Sequence, residues 1–222
     1  MKKVFAIILI VCLAVGVAFA AKSENEIKVG AQAGYGADFI KLTQSDNIWS
    51  KTNNGGFYFA GTGEYSFTDA ISAKVELGLN TMGKAKNTGK VSSISYETTA
   101  DEASPLMFSV YAGAQYNIEL SDDINLGLGA GWDMMIGKES NADDAKTNAA
   151  MGLGLEAVGA YKLQDNLAIT LGAKFGWHFI NTDDQIKEDL ENVNTILSYF
   201  TSDEVKVAHT TFKIFAGVTY SL

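Results

Sequence analysis

The chain has 222 residues, enough for one domain, or for two only if both are small. All 17 basic residues are lysine, set against 26 acids for a formal net charge of −9, so the chain offers no basic face to nucleic acid. Apolar residues make up 47%, with 22 glycines and one proline, which excludes a disordered or collagen-like chain; one cysteine excludes a disulfide framework, a cysteine-built zinc site and a thiol redox pair.

Lys2 and Lys3 precede an apolar run from Val4 to Val17, followed by Ala18-Phe19-Ala20, the small-x-small pattern accepted by a signal peptidase. The run is short for a spanning helix, so residues 1–20 are expected to be a cleaved signal peptide and residues 21–222 the mature domain. Cys12 would leave with the leader. Leu9 lies three residues before Cys12, as at a lipid-modified cysteine, but Val11 stands where such sites want a small residue. Removing Lys2 and Lys3 leaves 15 lysines against 26 acids, a charge of −11.

Eight runs of period-two alternation then follow in chain order. Ile27, Val29, Ala31, Ala33, Tyr35 and Ala37 oppose Lys28, Gly30, Gln32, Gly34, Gly36 and Asp38. Phe57, Phe59, Tyr65 and Phe67 oppose Tyr58, Thr62, Glu64 and Ser66; Ile71, Ala73, Val75, Leu77 and Leu79 oppose Ser72, Lys74, Glu76, Gly78 and Asn80. The fourth run starts at Phe108 and the fifth at Asn125; the sixth covers Met151 to Ala157, the seventh Leu167 to Phe179, and the last ends at Leu222. Short connections at Thr68 to Ala70, Ile118 to Asp123 and Gln164 to Asn166 take turns with long ones at Lys41 to Gly55, Gly83 to Pro105, Gly137 to Asn148 and Asn181 to about Lys206. Such turn-taking is required when successive hairpins face the periplasm and the outside. The more apolar face carries large residues along nearly every strand, and the other is mostly Gly, Ser, Thr, Asn and Gln. The expectation is a face solvated by lipid, with aromatics such as Phe57, Tyr116, Trp177 and Tyr220 near strand ends and the sheet closed, because an open edge cannot exist in hydrocarbon.

Over about Glu26 to Leu222 the sequence resembles the eight-stranded outer-membrane barrel families, the OmpA transmembrane-domain, OmpX and OmpW-like group. The resemblance rests on the cleavable leader, the glycine-rich alternation Val29-Gly30-Ala31-Gln32-Ala33-Gly34-Tyr35-Gly36 and the alternating ending Phe212 to Leu222. That ending looks like the signal read by barrel-assembly machinery, with Leu222 where the family usually has Phe. The resemblance implies an all-β, eight-stranded antiparallel up-and-down transmembrane barrel in the bacterial outer membrane, with membrane lipid as its surroundings.

The expected lumen holds Glu64, Lys74, Glu76, Asp133, Glu156, Lys174 and Lys213, four acids and three bases. An eight-stranded lumen is just wide enough to be filled by side chains, so these charges read as a salt-bridge plug; inward glycines leave a narrow water path as the rival reading. In the last long connection Ile186, Leu190, Val193, Leu197 and Phe200 are spaced as one face of a helix, after Thr182, Asp183 and Asp184 as a cap. This predicts a short amphipathic helix that folds over the barrel mouth or meets a host or neighbouring surface protein. His178 and His209 face inward on adjacent strands, near Asp183 or Glu204, without a fixed third metal ligand. His209 shares its face with Thr211, but no orienting acid is evident. No catalytic, cofactor or metal site is therefore assigned. Envelope integrity or adhesion through the outer loops is the leading expectation, a narrow channel for small solutes the second, and a lipid-modifying enzyme the third.

Overall fold

The computed structural model describes residues 26–46, 48–103, 106–138, 147–181 and 206–222. Among these residues the regular structure is entirely β: β1 (Ile27–Ser45), β2 (Ile48–Ser66), β3 (Ile71–Met82), β4 (Lys84–Val91), β5 (Ile94–Ala103), β6 (Met107–Ser121), β7 (Ile124–Lys138), β8 (Thr147–Gln164), β9 (Leu167–Asn181) and β10 (Lys206–Ser221). Eight of them form a closed ring in the order β1, β10, β9, β8, β7, β6, β3, β2, with β2 returning to β1. Every pairing in the ring is antiparallel, and Ala33 faces Ala216 of β10 on one side and Phe59 of β2 on the other.

Period-two alternation sorts the side chains between the two faces of this ring. Leu171 is 70% exposed and Leu155 57%, whereas Glu76 is 1% and Asp133 0%. The apolar residues point out and the charges point in, the reverse of a water-soluble sandwich, so the outer surface requires an apolar solvent. Trp177 and Phe179 stack edge-on at one end, Phe179 also meeting Trp132 5.8 Å away, while Tyr65 and Phe67 do so at the other. Aromatic rings at these heights suit the two membrane interfaces.

At the short-turn end the strands are joined around the rim by backbone bonds. The Ser66 N–H donates to the Glu26 carbonyl at 2.9 Å and the Leu222 N–H to the Ile27 carbonyl at 2.8 Å, which ties both ends of the described barrel into the rim.

Two connections read as loops from the sequence are strands. In the first, expected at 41–55, β1 continues to Ser45 and β2 starts at Ile48, with Lys41 opposite Lys51. In the second, expected at 83–105, β4 and β5 make a hairpin whose β4 pairs with the start of β2, from Ile48 opposite Val91 to Asn53 opposite Lys86. The physical reason is common to both. A membrane crossing takes only about 9–11 tilted residues, and β1 and β2 have 19 each, so their outer ends emerge into water. There the backbone ladder alone favours extension, without the inside-outside pattern by which strands are recognised. The hairpin turns at Ser92, a non-glycine residue at φ 58°.

Candidate functional site: the lumen and the outer sheet

Mid-height in the lumen, residues from five strands of the ring meet. Lys74 of β3 donates to Glu156 Oε1 of β8 at 2.6 Å. Lys174 of β9 reaches Glu76 Oε2 of β3 at 2.5 Å and Glu156 Oε2 at 3.3 Å. Gln32 of β1 donates its Nε2 both to Glu76 Oε2 and to the Tyr58 hydroxyl of β2, each at 2.7 Å. The two lysines and two glutamates are all nearly inaccessible, and their formal charges cancel. Aromatic rings complete the filling: the Lys174 ammonium sits 4.1 Å from the Tyr111 ring centre, and the Phe215 ring lies 6.3 Å from that of Tyr58. Two glycines make this possible by leaving space. A Cβ at Gly172 would lie 2.5 Å from the Phe215 ring, and one at Gly154 would meet both Tyr111 and Asp133 near 3 Å.

Toward the outer end a second polar group crosses the barrel. His209 Nε2 lies 2.6 Å from Asp38 Oδ1, and His178 Nε2 lies 3.1 Å from Asp133 Oδ2. The histidines are direct cross-strand partners with ring centres 4.7 Å apart. Lys213 stands below them with its ammonium 4.7 Å from the Tyr58 ring centre, and this buried nitrogen has no hydrogen-bond partner among the described residues.

Below the mid-height network the lumen opens into a cavity of about 610 Å³. It is lined by the turn residues Asp69, Asp122, Asp123 and Asp165, by Glu64 and Lys28, and by Gln115 and Asn117. The opening is on the side of the short turns, so the lumen is a vestibule closed partway up by its own charges and rings.

The residues singled out from the sequence therefore divide into three places. Lys74, Glu76, Glu156 and Lys174 come together as one network. Asp133 instead joins the histidines, Lys213 lies between the two groups, and Glu64 stands apart in the vestibule. An orienting acid for His209, which the sequence reading did not find, is Asp38 on β1, already on the inward face by parity but 171 positions away along the chain. The alternative acids, Asp183 and Glu204, lie outside the described residues, as do the proposed helix with Ile186, Leu190, Val193, Leu197 and Phe200 and the leader at 1–20. Among the described residues no three His, Cys, Asp or Glu side chains are grouped to hold a metal.

At the opposite end of the barrel from this cavity's mouth, the outer ends of β10, β1 and β2 continue as a sheet with β4 and β5. β5 is the last strand of that sheet among the described residues. Val91, Ile94 and Tyr96 are exposed around its turn, at 53%, 71% and 40%, and Lys86 pairs with Glu97 at 2.7 Å across the two strands.

A closed ring with lipid-facing apolar rows, a polar lumen and long strands beyond one rim defines an integral outer-membrane β-barrel. The chain belongs to the outer membrane protein beta-barrel domain family, matching it over residues 8–199. Among solved structures it is similar to neisserial surface protein A at 15% identity, with 89% of this chain and 99% of that one covered and a TM-score of 0.55. It also aligns with the N-terminal β-barrel domain of Pseudomonas aeruginosa OprF at 10% identity, covering 90% of this chain and 100% of that one at a TM-score of 0.48. Ail, the attachment invasion locus protein of Yersinia pestis, aligns at 14% identity, covering 88% of this chain and 99% of that one at a TM-score of 0.41. At 15% identity the likeness to neisserial surface protein A concerns the fold alone. No curated protein matches the chain significantly. The protein resides in the bacterial outer membrane.

Proposed function

We propose that this barrel is a scaffold whose working part is the sheet raised above its outer rim, and that it acts by binding a partner at the cell surface, in adhesion or envelope attachment, without catalysis. The observation that carries this reading is the hairpin β4–β5, which extends the sheet beyond the ring and leaves β5 as its terminal strand among the described residues, exposed from Ile94 to Thr99. A terminal strand presents a row of backbone donors and acceptors that an extended partner segment completes. β5 contains neither lysine nor proline, the residues that commonly blunt such an edge. On this reading residues 1–20 are removed at export, residues 21–222 are assembled by the barrel-assembly machinery through the Phe212–Leu222 ending, and the mid-lumen network is a plug that maintains the wall.

The test is to replace residues 84–103 by a short turn and to compare the two proteins at equal surface density on vesicle-coated beads. Binding to host cells or matrix should fall at least about tenfold, and a planar bilayer holding either protein at neutral pH should stay silent. Unchanged binding, or discrete openings from the intact protein at neutral pH, refutes the surface-binding reading and favours a narrow channel for small solutes.

A further inference from the structure

Above the outer rim, the register of β10, β1, β2, β4 and β5 sets residues in rows across the sheet, and residues directly opposite one another in antiparallel strands share a face. Phe39 is the last large apolar residue of the outward row on β1, and its row across the sheet passes through Asn53 to Lys86 of β4. The next outward-facing row sets Lys41 directly opposite Lys51 and continues through Thr88 to Glu97; the one beyond it runs from Lys206 through Thr43 and Trp49 to Lys90. Five lysines thus share this face in a chain whose net charge is −9, and among the described residues of the three rows Glu97 is the single acid. Glu97 is already held by Lys86 at 2.7 Å. Lys41, Lys51, Lys86 and Lys206 are exposed, and the Lys51 ammonium stands 5.4 Å from the centre of the Trp49 ring.

We propose that this face, centred on Lys41 and Lys51, binds the phosphate groups of anionic lipid in the outer leaflet of the membrane. Its position selects that occupant. The lysine rows lie on the same face of the same strands as the lipid-facing apolar rows, beginning one outward-facing step beyond Phe39. With a rise of about 3.4 Å per residue and a strand tilt of about 40°, the second and third rows stand roughly 5–10 Å above Phe39, the depth at which hydrocarbon gives way to headgroups. Charge complementarity points the same way. Like charges directly opposite one another destabilise a pair of strands, and an anion lying between them reverses the sign. Glu97 stands two strands away from Lys51 and is engaged by Lys86, so the counter-charge for Lys41 and Lys51 has to come from outside these rows. Phosphate oxygens accept hydrogen bonds from both ammonium groups, while the Trp49 ring, apolar in body and polar at its N–H, suits the same interface. The inference uses the faces of β1, β2, β4 and β10 and stands whether or not the edge of β5 binds a partner.

The test titrates the protein, in micelles of a non-ionic detergent, with lipid A as a phosphorylated glycolipid and with the same glycolipid stripped of its phosphates, reading bound lipid by native mass spectrometry. A lysine beside an anionic lipid surface is worth about fivefold in affinity, so the intact protein should prefer the phosphorylated form by at least about tenfold. The double variant Lys41→Gln, Lys51→Gln should lose most of that preference, whereas Lys162→Gln, at the opposite rim, should keep it. Heat-modifiable migration on a denaturing gel verifies that each variant is folded, and the comparison of the two glycolipids on the intact protein decides the matter if one is not. Equal binding of the two glycolipids overturns the proposal, as does an unchanged preference in the folded double variant or an equal loss in Lys162→Gln. Inorganic pyrophosphate or soluble heparin that displaces the lipid at equal concentration also overturns it, because the face would then be a site for a soluble anion.

Discussion

Replacing Lys174 with methionine removes the charge that joins two buried glutamates while keeping most of the side-chain volume. At an effective dielectric of about 20, its contacts at 2.5 Å with Glu76 and 3.3 Å with Glu156 are together worth on the order of 12 kcal/mol of Coulomb attraction. Returning the ammonium to water in the unfolded chain recovers several kcal/mol of that, and methionine regains part of the packing against Tyr111. The net loss should be about 3–5 kcal/mol, the cost of leaving a buried charge without its partner. Adding Glu76→Gln removes the stranded charge and keeps an acceptor for Gln32, so the double variant should recover at least about 2 kcal/mol relative to the sum of the single changes. The assay is urea unfolding in phospholipid vesicles, followed by tryptophan fluorescence and gel migration. Strict additivity of Lys174→Met and Glu76→Gln would refute the reasoning, since it would mean that the network stores no coupling.

Three further outcomes are expected. Leu155→Arg, on the outward face midway along β8, should destabilise the barrel in vesicles by about 2–4 kcal/mol if it sits near the membrane midplane, and a neutral result in the same urea assay would contradict hydrocarbon solvation of that face. Gly172→Ala should cost about 1–3 kcal/mol, because the new Cβ would lie 2.5 Å from the Phe215 ring and 2.9 Å from the Ala157 carbonyl, and pairing it with Phe215→Leu should relieve only the part due to the ring. Ser92→Gly should stabilise the β4–β5 hairpin by about 0.5–1 kcal/mol, by removing the left-handed strain of a residue with a Cβ, and should slow protease cleavage between Val91 and Ile94.

The face assignments were legible in the sequence because strand geometry has a period of two and lipid imposes a sharp chemical difference between inside and outside. Glu76, Lys174 and Asp133 accordingly fall on the inward parity of their strands, and all three are buried. The hairpin β4–β5 was not legible because it stands in water, where Lys84 to Ala103 needs no apolar row. The pairing of the lumen charges was not legible either. In register Glu64 lies directly opposite Lys74, the partner a strand-by-strand reading would choose, yet Lys74 bonds to Glu156 on the far wall. Lys174 and Lys213 are direct cross-strand neighbours of like charge, an arrangement that makes sense only with Glu76, Tyr111 and Tyr58 reaching in from other strands.

The amino-acid order alone determined that this chain makes lipid-facing strands and which side chains each one turns inward, since alternation is a local property of extended backbone. Closure of the ring decided the rest. An eight-stranded lumen is so narrow that opposite walls touch, and only the stagger of the strands sets which residues arrive at the same height. Asp38 thus finds His209 from the other end of the sequence, Glu64 is left in the vestibule, and the outer ends of β1 and β2 gain two strands that do not enter the membrane.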